Sequence, residues 1–114
     1  MTEVIRIAVP TVGDRGINDT VSSVFSKSPN FTFIDIVEGE VKLVEVEENT
    51  ASRLKQGSGP IVAKNLKDKG VKAVIFGELG PGASTLLDIS GIKALRVEPG
   101  IKVSLALRKV LREL

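Results

Sequence analysis

Apolar runs separated by turn-forming residues predict three β-strands in the first half of the chain. The nearly continuous apolar run Val4–Pro10 is typical of a central strand covered on both faces, with Arg6 as its exception. Two further β-rich runs, Phe31–Val37 and Val41–Val46, are separated by three residues centred on Gly39. This spacing predicts an antiparallel hairpin in which Gly39 adopts a positive φ.

Polar segments border these strands. Lys42 and Glu45 in the third run predict an edge strand, because charged side chains oppose pairing with another chain. The segment Thr11–Asp19 predicts turns at the carboxyl end of the first strand, and Thr20–Phe25 predicts a short helical turn. The polar segment Glu47–Ser58 is long enough to predict a functional or mobile loop.

The second half of the chain predicts three helices that alternate with two strands. The first helix is expected to begin with Ser58 as its N-cap and to end at Gly70. Ile61, Val62 and Leu66 are expected to form its buried stripe.

A glycine-rich turn follows the next strand. Ala73–Phe76 predicts a buried strand, Gly77–Gly82 a tight loop, and a second helix is expected to start at Pro81 and stop at Gly91. Unpaired N–H groups from Gly82 to Thr85 would then lie at the positive end of the helix dipole, where an anion can bind. The alternative is that the glycines only permit a tight turn.

The last strand and helix complete an α/β pattern. Ile92–Val97 predicts a strand, Glu98–Gly100 a turn, and residues 101–113 a helix. The order of elements predicts a three-layer α/β/α fold of the ribonuclease H-like motif. Its mixed five-stranded sheet is expected in the order 3-2-1-4-5, with strand 2 antiparallel.

Ligands of such sheets collect beyond the carboxyl ends of the parallel strands. We therefore expect Thr11–Gly16, Gly77–Gly82 and Glu98–Gly100 to lie along one rim. The Glu47–Ser58 loop is long enough to reach the same rim.

The amino-acid composition excludes several kinds of metal ligand and catalytic group. The 114 residues predict one domain over residues 1–114, and with no cysteine and no histidine the chain has no disulfide, no thiolate or imidazole metal ligand and no histidine-dependent nucleophile. A formal charge of +2, with four phenylalanines as the only aromatic residues, argues against a nucleic-acid partner. The acidic start and its short apolar run predict neither a signal peptide nor a membrane span, and hence a cytoplasmic protein without a membrane partner.

Five segments resemble one family in order and spacing: IRIAVP, FSKSPNFTFIDI, VEENTASRLKQGSGPIVAKNLKDKGVKAVI, GELGPGAS and SGIKALRVEPG. Over nearly the whole chain they resemble the dinitrogenase iron–molybdenum cofactor biosynthesis family of small accessory proteins. The resemblance implies a ribonuclease H-like domain that binds or carries a cofactor precursor or an iron–sulfur-type cluster without catalysing a reaction. A cofactor-assembly protein or another protein is the expected partner, and the expected state is a monomer or a homodimer.

The resemblance also implies a site. Many members have Phe-Gly-Arg, often preceded by His, where this chain has Val24-Phe25-Ser26-Lys27, so the imidazole is missing and a lysine replaces the bidentate guanidinium. The Gly57–Gly59 and Gly80–Ala83 turns are retained. Together with Gly13 and Asp14 from the rim loop that follows the first strand, the predicted ligand-binding residues are Gly13, Asp14, Phe25, Ser26, Lys27, Gly57, Ser58, Gly59, Gly80, Pro81, Gly82 and Ala83.

The chain's ligand inventory restricts how a cluster would be held. Soft metals prefer thiolate or imidazole ligands, and the only soft atom in this chain is the thioether of Met1. Outer-sphere binding of an anionic ligand therefore remains, through backbone N–H groups, Ser26, Lys27 and Ser58.

Two other functions stay open. A small-anion-binding regulatory or protein-interaction domain, unrelated to nitrogenase, would use the same rim, and the sequence does not separate it from an accessory protein. A ribonuclease H-like nuclease would need a cluster of carboxylates for Mg²⁺, usually including one in the first strand. That strand has none, and Asp14, Glu78 and Glu98 are the acidic residues expected near the rim.

We expect no magnesium-dependent nuclease activity, because the first strand supplies no carboxylate for the metal. The measurement is incubation of the purified protein with Mg²⁺ and RNA or DNA, followed by gel analysis. Cleavage that disappears on replacing Asp14 or Glu78 would contradict this expectation.

Overall fold

The computed structural model describes residues 3–80 and 82–114. The described strands are β1 (Val4–Thr11), β2 (Asn30–Val37), β3 (Glu40–Glu48), β4 (Val71–Phe76) and β5 (Lys93–Arg96). The α-helices are α1 (Ser58–Asp68), α2 (Ala83–Ile89) and α3 (Val103–Val110), and 3₁₀ turns lie at Gly16–Asn18, Thr50–Arg53 and Leu111–Glu113. Within the described ranges, no helix is both long and apolar enough to cross a membrane.

The strands form a five-stranded sheet in the order β3-β2-β1-β4-β5, which confirms the predicted order and the edge position of the third strand. β1 pairs antiparallel with β2 and parallel with β4, and β4 pairs parallel with β5. The carboxyl ends of β1, β4 and β5, at Thr11, Phe76 and Arg96, therefore lie at one edge of the sheet, called the rim below. The hairpin turn is also confirmed, with φ of 80° at Gly39 and of 52° at Glu38.

Arg6, the charged exception in β1, is paired across the sheet. It lies opposite Asp35 in the β1–β2 register, and its Nε and Nη2 atoms donate to the two carboxylate oxygens at 2.8 and 3.1 Å. Its Nη1 atom donates to the carbonyl of Lys69 at 2.9 Å. The hydrogen bond with Asp35 raises the pKa of Arg6 above its usual value. One side chain thus links β1, β2 and the end of α1.

The sheet separates two apolar layers. Ile75 and Val103 belong to a cluster beneath α3, whereas Val74, Leu66 and Leu87 belong to a cluster beneath α1 and α2. Adjacent residues of β4 point to opposite faces, as the strand period requires. Helices therefore cover both faces, as the three-layer prediction stated.

The start of α1 differs from the prediction in two respects. Gly57, at φ 80°, occupies the cap position, and Ser58 is the first helical residue and makes no capping hydrogen bond. Ser58, Val62 and Leu66 are buried on one face of the helix. Ile61 lies off this face and is 44% exposed. Because Ser58 faces inward, the buried stripe is rotated away from Ile61.

The helical turn predicted at Thr20–Phe25 was wrong. A 3₁₀ turn lies earlier, at Gly16–Asn18, and the chain then becomes extended. Val21 forms an isolated bridge with the end of β1, and the Ser22 N–H donates to the Pro10 carbonyl at 2.8 Å. Pairing across the rim supplies these backbone groups with partners that a local helix would otherwise provide.

Gly77 is the point where three rim segments meet. A Cβ atom at Gly77 would lie 2.9 Å from Pro99 Cβ and 3.1 Å from the carbonyl oxygen of Ser22. Real Cβ contacts are longer, so the missing side chain is what allows this approach. The neighbouring backbone is also joined, because Gly100 N–H donates to the Val21 carbonyl at 2.8 Å.

Gly77→Ala is expected to lower the free energy of unfolding by about 1–3 kcal/mol, because the added methyl group overlaps Pro99 and the Ser22 backbone. Gly80→Ala is the control, since a Cβ there meets nothing within 4 Å. Its free energy of unfolding should change by less than about 1 kcal/mol. Urea denaturation of the parent and both variants provides the measurement. If Gly77→Ala is as stable as Gly80→Ala, the contact at Gly77 does not stabilise the fold.

Candidate functional site

Two segments at the rim enclose a cavity of about 210 Å³, here called the rim cavity. The first wall is residues 23–27 and the second wall is residues 78–80. The lining residues are Ser23, Val24, Phe25, Ser26, Lys27, Glu78, Leu79 and Gly80. Both walls follow directly from the contact between Ser22 and Gly77, so their bases are held together.

Phe25 anchors the first wall in the core. Its side chain is 3% exposed, and its ring packs edge-to-face on Phe31, with centroids 5.6 Å apart and an interplanar angle of 86°. This is a favourable aromatic geometry. The backbone on either side of Phe25 is therefore held at the rim while the ring belongs to the apolar layer under α1.

Asn49 holds the first wall from the side of β3. It is buried, and its Nδ2 atom donates to the carbonyls of Ser26 and Ser28, both at 2.9 Å. Its own N–H donates to the Pro29 carbonyl at 2.9 Å. A single side-chain amide thus replaces the regular backbone partners that this irregular segment lacks.

The segment between β3 and α1 reaches the rim, as expected from its length. Ser58, which is 4% exposed, donates its hydroxyl hydrogen to the Ser26 hydroxyl at 3.0 Å. The ammonium group of Lys27 donates to the carbonyl of Leu54. These contacts place predicted residues from two distant parts of the chain at one site.

Other predicted residues shape the surroundings of the cavity without lining it. Gly57 is the cap residue of α1, and a Cβ atom at Gly59 would lie 3.9 Å from Leu86 Cδ1. Gly59 therefore lies at the junction between α1 and α2. Gly82, at φ 80°, precedes Ala83, which is buried.

The start of α2 differs from the prediction. The helix begins at Ala83, and Pro81 lies outside the described residues. The N–H of Ala83 donates to the Gly80 carbonyl at 3.1 Å, so this donor is not free for an anion. A helix of seven residues with one terminal donor occupied offers less to a ligand than predicted.

Gly13 and Asp14 do not line the rim cavity. A Cβ at Gly13 would lie 2.9 Å from Oδ2 of Asp19, whose carboxylate is fully buried. That carboxylate accepts the N–H groups of Arg15 and Thr20 at 3.0 and 2.8 Å. This loop is therefore organised around Asp19.

Four lining residues were absent from the predicted set: Ser23, Val24, Glu78 and Leu79. Val24 and Leu79 adjoin predicted residues, Ser23 and Glu78 lie one position further away, and Val24 stands in the tetrapeptide that carried the family resemblance. Glu78 had been weighed only as a ligand of Mg²⁺. Extending the predicted segments by one or two residues would have found them.

The rim cavity is lined by both charged and hydroxyl-bearing residues. Lys27 supplies an ammonium group and Glu78 a carboxylate, beside the hydroxyls of Ser23 and Ser26. Within residues 3–80 and 82–114, no group of three or more acidic residues is placed to hold a metal ion. The chain also has no histidine or cysteine to activate a serine.

A second concavity, a groove of about 260 Å³, runs between α1 and the β2–β3 hairpin. Phe31 and Phe33 are among its lining residues. Its charged side chains are already engaged, because Lys69 pairs with Glu47 at 2.7 Å and lies 5.3 Å from the centroid of the Phe33 ring. In the rim cavity, Lys27 and Glu78 take part in no ion pair among residues 3–80 and 82–114, and several predicted residues line it, so it is the better candidate.

Comparisons with known proteins agree with this fold. A family model described as dinitrogenase iron-molybdenum cofactor matches residues 3–113. The apo form of the orange protein from Desulfovibrio gigas superposes with a TM-score of 0.80 at 26% identity, covering 99% of this chain and 92% of that one. A NifB-like protein from Thermotoga gives a TM-score of 0.74 at 33% identity, covering 96% and 88%. An uncharacterised protein of Methanocaldococcus jannaschii is 29% identical over 92 residues, which are 81% of this chain and 78% of that protein.

Asn49→Ala is expected to loosen the first wall, because two carbonyl groups lose their donor. We expect the free energy of unfolding to fall by about 1–3 kcal/mol. Hydrogen exchange should also become faster across residues 23–29. Asn65→Ala, at an exposed position on α1, is the matched control. Unchanged exchange in a folded Asn49→Ala protein would contradict the role given to this amide.

Proposed function

The chain belongs to the dinitrogenase iron-molybdenum cofactor family, and on this basis we propose that it is a non-catalytic accessory protein that binds an anionic ligand in the rim cavity. A metallocluster precursor is the ligand class that the family membership favours. The proposed binding residues are those that the sequence predicted, with the cavity lining at the centre.

The rim cavity is the observation that carries the proposal. Ligands of open α/β sheets bind beyond the carboxyl ends of parallel strands, and this concave site lies there. It combines the ammonium group of Lys27 with the hydroxyl of Ser26 and the backbone of Gly80, which has no side chain to block approach. Hydrogen bonds from a charged donor to an anion are among the stronger ones in proteins.

The side chains available in this sequence determine how a metallocluster precursor would be bound. Without cysteine or histidine, the chain cannot offer thiolate or imidazole to a cluster metal. Lys27 and Ser26 can instead donate hydrogen bonds to sulfido or oxo groups, so the metal would keep its own inorganic ligands. Binding of this kind is reversible and suits a carrier.

The hydroxyl groups support a role without catalysis. Ser26 is hydrogen-bonded to Ser58, a second hydroxyl, and neither has a histidine partner that would raise its nucleophilicity. The hydrogen bond between these two hydroxyls instead holds the first wall against α1.

A protein-interaction role is the second candidate, and an exposed apolar side chain favours it. Val24 lines the cavity and is 44% exposed, and Leu54, beside Lys27, is 38% exposed. A partner protein that receives the bound ligand would bury such apolar side chains on docking. The two roles are compatible, since an accessory protein must release its ligand to a partner.

Lys27→Met is expected to weaken binding of tetrathiomolybdate, a soluble molybdenum–sulfur dianion, by about tenfold or more, because one charge-assisted hydrogen bond is lost. Lys72→Met, an exposed lysine of β4 outside the cavity lining, is the control and should bind like the parent. Anaerobic calorimetric titration gives the affinities, and thermal unfolding verifies that each variant is folded.

Two results would count against the proposal. Equal affinities of the parent and Lys27→Met would remove the rim cavity as the site. If the parent binds neither tetrathiomolybdate nor a reconstituted iron–sulfur cluster, the ligand-binding role is wrong and the protein-interaction role is the remaining candidate.

A further inference from the structure

β3 leaves one side of its backbone without a partner strand. It is the outermost strand of the sheet, and its outer edge pairs with no other strand of residues 3–80 and 82–114. Such an edge presents a row of N–H and C=O groups to any extended chain that approaches it. β3 has nine residues, whereas strands of about five or six are usual, so the exposed row is long.

The features that protect sheet edges are confined to the first part of β3. The β2–β3 register shifts at Lys42, which is skipped in the pairing between Val41 and Leu43. An irregularity and a lysine both oppose the addition of a further strand. From Leu43 to Glu48 the register is regular, and the segment contains no lysine, proline or glycine. Residues 43–48, here called the open edge, are therefore accessible to an incoming strand.

The open edge carries different side chains on the two faces of the sheet. Glu45 lies opposite Phe33, which belongs to the apolar layer beneath α1, so Glu45 is on the α1 face. Glu47 shares this face, and Val44 and Val46 point to the other face, as the strand period requires. The open edge contains three glutamates and no basic residue. An added strand would thus meet carboxylates on one face and valines on the other.

The carboxylates of the open edge already bind basic groups within the chain. Lys69 pairs with Glu47 at 2.7 Å, and Arg53 pairs with Glu48. Glu45, in the middle of the open edge, takes part in no ion pair among the described residues. A basic side chain placed across from Glu45 would therefore gain a partner that the fold itself does not use.

We propose that the open edge binds an extended segment of a partner protein in which basic and apolar residues alternate. The segment adds a sixth strand to the sheet, and its backbone hydrogen bonds supply most of the affinity. Its basic side chains lie on the face of Glu45 and Glu47, and its apolar side chains on the face of Val44 and Val46. No residue of the open edge lines the rim cavity, so this inference goes beyond the proposed function and does not depend on a ligand there.

The same charges disfavour a second copy of this chain as the occupant. Two open edges side by side would bring the three glutamates of one copy near the three of the other, and like charges on neighbouring strands are destabilising. The charges that oppose pairing therefore do so for an acidic strand and not for a basic one. Repulsion of the wrong partner is a common source of specificity.

The test titrates the isotopically labelled protein with three capped hexapeptides at low ionic strength, where charges are little screened. One alternates lysine and valine, one alternates glutamate and valine, and the third is the lysine–valine peptide with every backbone nitrogen methylated. The first should bind and slow the amide hydrogen exchange of residues 43–48, and the other two should bind about tenfold more weakly or not at all. Methylation removes the backbone donors and keeps the charges, so it separates strand addition from loose electrostatic attraction.

Glu45→Lys should weaken binding of the lysine–valine peptide about tenfold, because attraction between neighbouring strands becomes repulsion. Glu98→Lys is the matched control, since it makes the same change of charge at an exposed carboxylate beyond β5, which forms the other edge of the sheet. This control should bind within about twofold of the parent. Thermal unfolding shows whether each variant is folded, and the three peptides decide the matter on the parent protein if Glu45→Lys does not fold.

Four results would overturn the inference. The parent could fail to bind the lysine–valine peptide, could bind its methylated form equally well, or could show slowed exchange outside the open edge. Sedimentation that shows a dimer of the protein alone, with residues 43–48 protected from exchange, would make a second copy the occupant. None of these results bears on tetrathiomolybdate binding, so the proposed function is tested separately.

Discussion

A methyl group at position 77 would collide with Pro99 and with the Ser22 carbonyl, so the end of β4 can meet these two segments only as glycine. The rim depends on this contact. It joins the extended segment after β1 to the turn after β5, and both walls of the rim cavity begin within one residue of it. The cavity is therefore a consequence of close backbone packing among three connections that are far apart in sequence.

The walls themselves are held by small neutral groups. Asn49 bonds two carbonyls of the first wall, and Ser58 bonds Ser26. The charged residue Lys27 also contributes, because its ammonium group donates to the Leu54 carbonyl, and both Lys27 and Glu78 line the cavity. The first wall is therefore held from the β3–α1 segment by one amide, one hydroxyl and one ammonium group.

The fold is compatible with a large difference in sequence. The orange protein from Desulfovibrio gigas keeps the fold at 26% identity, with a TM-score of 0.80. Substitution at this level is tolerated because apolar side chains of similar size can fill both layers beside the sheet.

The sequence by itself determined the sheet order, the edge position of β3 and the hairpin at Gly39. These follow from local patterns: continuous apolar runs for central strands, charges on the edge and a glycine at positive φ. It also indicated Phe25, Ser26, Lys27 and Gly80 as candidate site residues, because they stand in segments that leave the carboxyl ends of strands or match a family pattern.

Only the tertiary structure decided how the site is built. Ser58 was expected to cap α1, yet its hydroxyl bonds Ser26 across the rim, and this turned Ile61 toward solvent. Gly13 was expected at the site, but the loop closes around the buried carboxylate of Asp19. Each outcome depends on a partner that is distant in sequence or belongs to another element, and local propensity carries no information about such partners. That Lys27 and Glu78 line one cavity is decided in the same way, by the contact at Gly77 that brings their two segments together.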